Sequence, residues 1–311
     1  MKRALVLAGG GSKGAFEAGA IEFLVREAGL DFDIFLGTSV GALNAGILGQ
    51  SRDYRELCQQ VQALKGLWLG IKGSNSIYRK KPLGVFSLLV KGSLYDPIGL
   101  IRLIKEHIDP ERLFNNPARV LKVATVAAET GELFYADNRS LELKADFLSY
   151  ILASASIPLF FPAVKINGKH WYDGGLRDVT PLGTVFRERP DEIVVILTFP
   201  INQDLAPVLN KVRYQKGLWV ILRALEIMGN EISANDLQLA NAINHNYRCL
   251  FGRRSVPIRI VAPEAALTGS NILEFNPENI RLNFNLGFLA AQKPVAFYEK
   301  PLLKASQRRY S

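Results

Sequence analysis

Two short apolar stretches near the start of the chain limit the possible folds more than any other feature. Residues 4–8 and residues 32–36 are each long enough for a buried strand, and each is followed at once by glycines. Residues 14–28 show apolar positions at helical spacing, and Gly29 stands where a C-terminal helix cap would. Strand, glycine turn and helix therefore occur twice in succession. This alternation predicts an α/β fold with a mostly parallel central sheet.

The rest of the chain continues this alternation. Four further strands are predicted, at residues 120–128, 132–136, 193–199 and 258–262. A turn at residues 129–131 would join the first two of these as a hairpin. Long helical patterns are predicted at residues 218–249 and 277–291. With 311 residues, 48% of them hydrophobic, the chain suits one large domain, or one domain with a small cap.

The first glycine turn can hold a negatively charged oxygen. It reads Gly9, Gly10, Gly11, Ser12, Lys13 and Gly14. Glycines let several backbone N–H groups point at one anion, as an oxyanion hole requires. The same residues also fit the dinucleotide-binding pattern, with Asp31 or Asp33 as the ribose ligand. Both aspartates precede the second strand, whereas a dinucleotide fold needs the acid at the end of that strand, so the oxyanion interpretation is favoured.

The second glycine turn predicts a nucleophile. It reads Gly37, Thr38, Ser39, Val40 and Gly41, and it leads from a strand into a helix. A serine on such a sharp turn needs small neighbours, because the backbone bends tightly and other segments pass close by. The turn lifts the Ser39 hydroxyl to a helix N-terminus, where partial positive charge favours a developing anion.

A serine nucleophile needs a base, and the histidines are the first candidates. The chain has three of them, His107, His170 and His245. Only His245 fits the order serine, aspartate, histidine of the α/β-hydrolases, and its polar helical surroundings also suit a structural role. His107 lies in a charged helical stretch that suits the protein surface.

An aspartate offers another solution for the base. Asp173 is followed by Gly174 and Gly175, which indicates a tight and open backbone turn. Partial burial against Trp171 and Tyr172 would raise the pKa of Asp173 and make it a better base. The residues alone leave the choice between this aspartate and a histidine open.

Residues 57–95 form a basic segment that departs from the alternation. The segment has no acidic residue, and its aromatic residues Trp68, Tyr78 and Phe86 are interleaved with Lys65, Lys72, Arg79, Lys80, Lys81 and Lys91. Glycines and prolines interrupt it, which predicts a long insertion or cap. One interpretation is a lid that touches an anionic membrane, with each base adding about 1 kcal/mol. The other is a solvated loop whose aromatic side chains pack back onto the core.

Charge and cysteine content indicate where such a chain works. Lys and Arg number 38 against 29 Asp and Glu, a net charge of +9 that favours anionic partners. Cys58 and Cys249 have no metal-ligand spacing and suit a reducing cytosol. The N-terminus lacks the apolar stretch of a signal peptide. Residues 34–51 are uncharged but hold four glycines among polar residues, so a strand and a helix explain them better than a membrane span.

Together these motifs resemble those of the patatin-like phospholipase family. That family carries a G-G-x-[KR]-G oxyanion loop, a G-x-S-x-G turn and a D-G-[GA] motif in this order, and here they match residues 10–14, 37–41 and 173–175. Residues 153–158, followed by Phe161 and Pro162, are similar to a segment that such proteins often carry before the aspartate motif. The resemblance spans roughly residues 4–200, and no family signature is recognised beyond them.

The resemblance implies a three-layer α/β/α sandwich that hydrolyses acyl esters of phospholipids or other lipids. It implies a phospholipase A or lysophospholipase type of esterase with a Ser–Asp dyad and an acyl-enzyme intermediate. By matching positions, Ser39 is the nucleophile, Asp173 is the base, and the amides of Gly10 and Gly11 form the oxyanion hole. Lys13 matches the family's basic position, and its role stays open.

The resemblance, together with the basic segment, the net charge and the cysteine content, sets expectations for domains, partners and location. Residues 1–200 would form the catalytic core with the basic cap at about residues 57–95, and residues 201–311 would be a helical and strand extension of the same domain. No metal or organic cofactor is expected. The expected partners are the lipid ester and, by peripheral contact, an anionic membrane, with a cytoplasmic location. A binding scaffold without turnover is the main rival, and nucleic-acid binding rests on net charge alone.

Overall fold

A computed structural model describes residues 1–82, 84, 86–201, 218–251, 255–269 and 271–296, without the side chains of residues 91, 218, 219, 245–251, 295 and 296. Its strands are β1 (Arg3–Leu7), β2 (Ile34–Thr38), β3 (Arg79–Lys80), β4 (Tyr95–Asp96), β5 (Val120–Ala127), β6 (Leu133–Asp137), β7 (Val164–Ile166), β8 (Lys169–Asp173), β9 (Glu192–Ile196), β10 (Ile258–Val261) and β11 (Val295–Ala296). Its helices are α1 (Gly14–Glu22), α2 (Val40–Leu48), α3 (Tyr54–Gly70), α4 (Phe86–Lys91), α5 (Ile98–His107), α6 (Pro110–Phe114), α7 (Phe147–Ser154), α8 (Leu182–Val185), α9 (Leu218–Phe251) and α10 (Pro277–Ala290).

Nine of these strands form one sheet. Its order is β11-β10-β9-β1-β2-β5-β8-β7, and β6 pairs with β5. The neighbours from β10 to β5 are parallel, whereas β11, β6, β7 and β8 pair in antiparallel fashion. The predicted mostly parallel central sheet is therefore confirmed, and so is the hairpin of β5 and β6.

Both faces of the sheet are covered, because its central strands are apolar on both sides. In β1, Leu5 and Leu7 join a core shared with α1, α2, α3, α7 and α10, whereas Ala4 and Val6 join a second core on the opposite face. Leu182 of α8 and Leu237 of α9 belong to this second core. Helices on both faces of a mainly parallel sheet make the three-layer α/β/α sandwich that was predicted.

The elements follow the predicted pattern with local differences. The helical pattern of residues 14–28 begins as α1 and ends as a π-helical turn from Phe23 to Glu27. The predicted strand 193–199 is shorter and ends at Ile196. The strand predicted at 258–262 and the two long helices appear as β10, α9 and α10. Within the described residues, no helix has both the length and the apolar character to cross a bilayer.

The basic segment is partly packed onto the core and partly exposed, and its contact with a membrane stays a prediction. Its first part is the amphipathic helix α3, whose residues Leu64 and Trp68 are buried in the core, and Tyr78 is also buried. Phe86 of α4, in contrast, is 72% exposed. The division of the chain at residue 200 stays a prediction, and residues 202–217, 252–254, 270 and 297–311 of the predicted extension lie outside the described residues.

Candidate active site

Ser39 stands on a strained turn between β2 and α2. Its φ of 56° and ψ of −123° are values that residues with a side chain rarely adopt. The flanking glycines allow this turn, because a Cβ on Gly37 would overlap the Gly41 backbone, and a Cβ on Gly41 would overlap the Leu7 carbonyl. The close packing that the sequence predicted for this turn is therefore present.

Strand register brings Asp173 to Ser39 across a long stretch of chain. Thr38, the last residue of β2, pairs with Ala124 of β5, and Asp173, the last residue of β8, pairs with Thr125. Because β6 occupies the other edge of β5 at Thr125, β2 and β8 share one edge. They run in opposite directions and meet end to end at adjacent residues of β5. Ser39 and the carboxyl group of Asp173 are therefore side by side.

The carboxyl of Asp173 is buried and has the protonation behaviour of a base that works near neutral pH. Asp173 is 4% exposed, and burial raises its pKa from 3.8 to about 7. Two hydrogen bonds oppose this rise: one is donated by Gly175 N over 2.7 Å to Oδ1, and one comes from the Ser39 hydroxyl. The sequence predicted the direction of this shift. A base with a pKa near 7 can accept a proton and release it again.

Two backbone N–H groups remain available beside the serine. Within the described part of the chain, the amides of Gly10 and Gly11 donate no hydrogen bond. The amides on either side are used, since Gly9 donates to Val179 O over 2.9 Å and Ser12 donates to Ile272 O over 2.8 Å. The arrangement leaves two donors free at the position predicted for the oxyanion hole.

Close packing explains why these positions are glycine. A Cβ on Gly10 would overlap the Thr198 side chain, and a Cβ on Gly11, whose φ is +57°, would overlap the Ile272 carbonyl. The Thr198 hydroxyl in turn donates over 2.6 Å to the Gly9 carbonyl. The loop is thus held from both sides.

Ser39 lies where two pockets meet. The first, called the mouth below, is also lined by Gly10, Gly11 and Asp173. The other is an apolar pocket that follows α2 past Val40 and Leu43 to Ile47, with further walls from Leu67, Trp68, Ile71, Ile77, Leu100, Ile104, Ile108, Phe161, Leu273 and Phe275. From Ser39 to Ile47 the helix rises about 12 Å, which is long enough for a hydrocarbon chain. The polar groups around Ser39 therefore adjoin an apolar pocket.

Comparison with known proteins agrees with this geometry. The sequence profile of the family described as "Patatin-like phospholipase" matches residues 5–186, more than half of the chain, and the match includes all three motif loops. The chain belongs to the patatin-like phospholipase family.

Individual relatives of this patatin-like protein are distant. It is 28% identical over 217 residues to "Uncharacterized protein YjjU" of Escherichia coli (strain K12), covering 66% of this chain and 54% of that protein. It is 27% identical over 241 residues to human "Patatin-like phospholipase domain-containing protein 4", covering 76% and 83%. The chain thus spans about half the length of the bacterial relative. It is also similar to VipD from Legionella pneumophila, with 14% identity, a TM-score of 0.45, and coverage of 94% of this chain and 66% of that one.

Further residues support the patatin-like site without having been assigned a role from the sequence. Ser39 N donates over 2.9 Å to the hydroxyl of Ser154, which lies in the segment 153–158 that resembles the family. The Thr38 hydroxyl donates over 2.9 Å to the carbonyl of Asp178. Ser154 belongs to a recognised segment, so proximity to the motif was a usable signal. For Asp178, the sequence held no signal other than its position five residues after Asp173.

A buried polar chain links three helices behind the site. The amide of Asn44 on α2 donates over 2.8 Å to Glu17 of α1, and the indole of Trp68 on α3 donates over 3.0 Å to Asn44. Glu17 is fully buried, and burial raises its pKa well above 4.5. Its Oε1 has no hydrogen-bond partner within the described residues. Through Asn44, this buried carboxyl ties together the helices that follow the oxyanion loop and the nucleophile turn.

Lys13 has a partner that the sequence did not indicate. Its ammonium group lies 2.5 Å from Glu226 of α9, and both side chains are largely buried. Arg223 also binds Glu226, over 2.8 Å. Electrostatic attraction from these cations keeps the pKa of Glu226 low against the opposing effect of its burial. The ion pair fixes α9 beside the oxyanion loop.

The described histidine side chains have other surroundings than Ser39 and Asp173. His107 ends α5, where its carbonyl accepts a hydrogen bond from Gln50 over 2.8 Å. His170 is exposed and pairs with Glu129 over 2.8 Å. The side chain of His245 lies outside the described residues. Among the described residues, no cluster of three or more His, Cys, Asp or Glu side chains could hold a metal ion.

Proposed function

We propose that this chain is a serine lipid acyl hydrolase of the phospholipase A or lysophospholipase type. In this mechanism Ser39 is the nucleophile, Asp173 is the general base, and the amides of Gly10 and Gly11 hold the oxyanion. The observation that carries the proposal is the hydrogen bond between the Ser39 hydroxyl and a buried carboxyl whose pKa is about 7. That arrangement supports a two-residue mechanism without a histidine.

The reaction would proceed in two steps. As the Ser39 oxygen attacks the ester carbonyl, Asp173 accepts the hydroxyl proton, and the carbonyl oxygen becomes an anion facing the two free amides. The tetrahedral intermediate collapses to an acyl-enzyme, and the leaving alcohol takes the proton from Asp173. Water then attacks the acyl-enzyme and gives a proton to Asp173. Collapse of this second tetrahedral intermediate releases the fatty acid, and Asp173 returns the proton to the Ser39 oxygen, which restores the free hydroxyl.

The apolar pocket would bind the acyl chain. Val40, Leu43 and Ile47 lie on one face of α2, so a chain esterified at Ser39 could run along them. Burial of each CH₂ group is worth about 0.8 kcal/mol, which favours long apolar acyl groups over acetyl esters. The headgroup would remain in the mouth between the oxyanion loop and α9.

Three variants test this proposal. Ser39→Ala and Asp173→Asn should each abolish the release of fatty acid from a mixed lipid extract, as measured by mass spectrometry. Ser140→Ala is the matched control outside the mouth and should still release fatty acid. A fluorophosphonate probe should label the native protein at Ser39. Labelling at another residue, or fatty-acid release by Ser39→Ala, would show that the assignment is wrong.

We also propose that the protein contacts an anionic membrane through its cap. Phe86, Leu89 and Val90 of α4 are 72%, 84% and 72% exposed, which is unusual for large apolar side chains that adjoin one another. Arg79 and Lys80 are exposed in the same segment. Basic and apolar side chains together match the headgroup and acyl regions of an anionic bilayer.

This face adjoins the mouth of the site. The segment after α4 joins the rim, since Ser93 bridges to Leu159 and Leu94 N donates over 2.9 Å to the Leu159 carbonyl. Leu159 is 41% exposed and follows Pro158, which lines the mouth. A bilayer bound at α4 would therefore lie next to Ser39.

Liposome sedimentation tests the contact. Replacing Arg79 and Lys80 by glutamine should weaken binding to phosphatidylglycerol-containing vesicles about 30-fold, because each base contributes about 1 kcal/mol. The matched control is the double variant Lys165→Gln, Lys169→Gln, which removes two exposed bases from strands β7 and β8 and should bind as the wild type does. Equal binding by both double variants would refute this contact.

A further inference from the structure

Residues 178–180 connect all three motif loops. Asp178 N donates over 2.9 Å to the Gly174 carbonyl, and the Asp178 carbonyl accepts from the Thr38 hydroxyl over 2.9 Å. The Val179 carbonyl accepts from Gly9 N over 2.9 Å. This segment therefore sets the positions of the aspartate loop, the nucleophile turn and the start of the oxyanion loop together.

The same segment is attached to α9 by side chains. Thr180 N donates over 3.2 Å to a carboxyl oxygen of Asp236, and the Thr180 hydroxyl lies 2.8 Å from that of Ser233. The carboxyl groups of Asp178 and Asp236 also hydrogen-bond to each other. Helix α9 and the three motif loops thus meet at residues 178–180.

Two carboxyl groups in hydrogen-bonding contact require a proton between them. Asp178 is 7% exposed, and its Oδ2 accepts from the Tyr135 hydroxyl. Its Oδ1 is buried and meets no N–H or hydroxyl donor within the described residues, so a proton on the neighbouring Asp236 would supply a donor that this part of the chain otherwise lacks. Burial and the neighbouring Asp178 raise the pKa of Asp236 to about 8, and burial also raises the pKa of Asp178.

The surroundings add little positive charge to this pair. Tyr135 of β6 has a raised pKa because of burial and the nearby Asp178, and it stays a neutral donor. Arg187, which follows α8, acts weakly on Tyr135. Helix α8, which packs beside α9, carries no titratable side chain. No ion pair to Asp178 or Asp236 occurs among the described residues, so no cation in ion-pair contact offsets the charge that the two carboxyl groups would carry without the proton.

Helix α9 forms one wall of the mouth. Leu225, Glu226, Gly229 and Asn230 line it together with the oxyanion loop. Glu226 is held by Lys13, and Asp236 lies ten residues, or about 15 Å, further along the helix. Two attachments therefore hold α9, an ion pair at the oxyanion loop and the carboxyl pair at residues 178–180.

We propose that Asp178 and Asp236, joined by one shared proton, are positioning residues that hold α9 and the three motif loops in their working arrangement. This inference rests on the proposed function for its kinetic consequences. Loss of the proton would place two carboxylates in contact, and their repulsion would separate α9 from residues 178–180. The oxyanion amides would then shift relative to Ser39, although neither aspartate touches the substrate.

The variant Asp236→Asn separates a role of the shared proton from a purely structural role of this contact. An amide can donate permanently to Asp178 and still accept from Thr180, so Asp236→Asn imitates the protonated pair at every pH. Asp236→Ala removes the link. Glu231→Gln, on an exposed position of the same helix, is the matched control.

Kinetics with p-nitrophenyl butyrate form the first test. Wild-type kcat should fall as pH rises through about 8, whereas Asp236→Asn should keep its kcat there and Glu231→Gln should behave as the wild type. Asp236→Ala should lower kcat about 10- to 100-fold with a smaller change in KM, as expected for misplaced catalytic groups. If Asp236→Asn is as impaired as Asp236→Ala, or retains the alkaline loss of kcat, the shared proton has no positioning role.

Hydrogen exchange of α9 gives a readout that does not depend on turnover. At a common pH above about 8, α9 should exchange faster in the wild type than in Asp236→Asn. Equal exchange in the two proteins would overturn the proposal. A wild type that lacks esterase activity but shows this difference would refute the proposed function and still support the carboxyl link.

Discussion

Replacing Asp173 by asparagine should abolish hydrolysis and at the same time stabilise the fold. The carboxyl is 4% exposed and its pKa rises from 3.8 to about 7 on folding, almost entirely because of burial. Each pH unit of such a change is worth about 1.4 kcal/mol, so the ionised group costs the folded state about 4 kcal/mol. Asparagine keeps an acceptor for the Gly175 amide and removes the charge.

The pH dependence of stability identifies this cost. Because the folded-state pKa is raised, the folded protein binds a proton more tightly than the unfolded chain, and the wild type loses stability as pH rises from about 4 to about 7. Asp173→Asn has no carboxyl at this position, so it does not lose stability from this ionisation as pH rises. The stability difference between variant and wild type should therefore grow by about 2.5 kcal/mol between about pH 5 and about pH 8.

Urea unfolding at these two pH values measures the difference directly. Other buried acids such as Glu17 and Asp236 also make the free energy of unfolding depend on pH. Both proteins contain these acids, so their contributions cancel in the difference between variant and wild type. Asp96→Asn removes an exposed carboxyl and should give no growing difference. A difference between Asp173→Asn and wild type that is the same at both pH values would refute the claim that Asp173 is buried at an energetic cost.

Three further predictions concern the site and its supports, and a fourth concerns the acyl pocket. Because only the ionised Asp173 accepts a proton, kcat/KM for a soluble ester should rise with pH through about 7, and a flat profile would contradict its role as base. Gly41→Ala should destabilise the fold by more than about 1 kcal/mol in urea unfolding, since its Cβ would overlap the Leu7 carbonyl. Glu17→Gln should retain activity, because glutamine keeps an acceptor for Asn44 and burial disfavours the charged carboxyl that it replaces, whereas Glu17→Ala should lose activity. Ile47→Trp should shift the preference towards shorter acyl esters in a chain-length series, and an unchanged preference would exclude this face of α2 as the acyl site.

The sequence was most informative where local chemistry alone determines structure. The turn at Ser39 and the loop at Gly10 and Gly11 could be predicted, because glycines between a strand and a helix indicate a tight turn that other backbone approaches closely. The fold class followed from the same alternation. The partnership of Ser39 with Asp173, in contrast, came from a family resemblance, since no local pattern says that β8 runs against β5.

The contacts that side chains of α9 make with the motif loops could not be predicted from the sequence. Glu226 and Asp236 lie on a long helix where polar residues normally face solvent, so their spacing carries no sign of Lys13 or Asp178. The buried Glu17 gave the same difficulty, because a glutamate within a helical pattern is typical of a surface position. These contacts depend on how α1 and α9 are placed around the sheet.

The end-to-end meeting of β2 and β8 has a consequence for how such proteins can vary. Ser39 and Asp173 are close because Thr38 and Asp173 pair with two adjacent residues of β5. The length of the polypeptide between Ser39 and Asp173 does not set this distance. Insertions or deletions in the intervening loops, even whole added modules, would leave the pair together. A slip of one residue in the β5–β8 pairing would instead turn the carboxyl to the opposite side of the sheet.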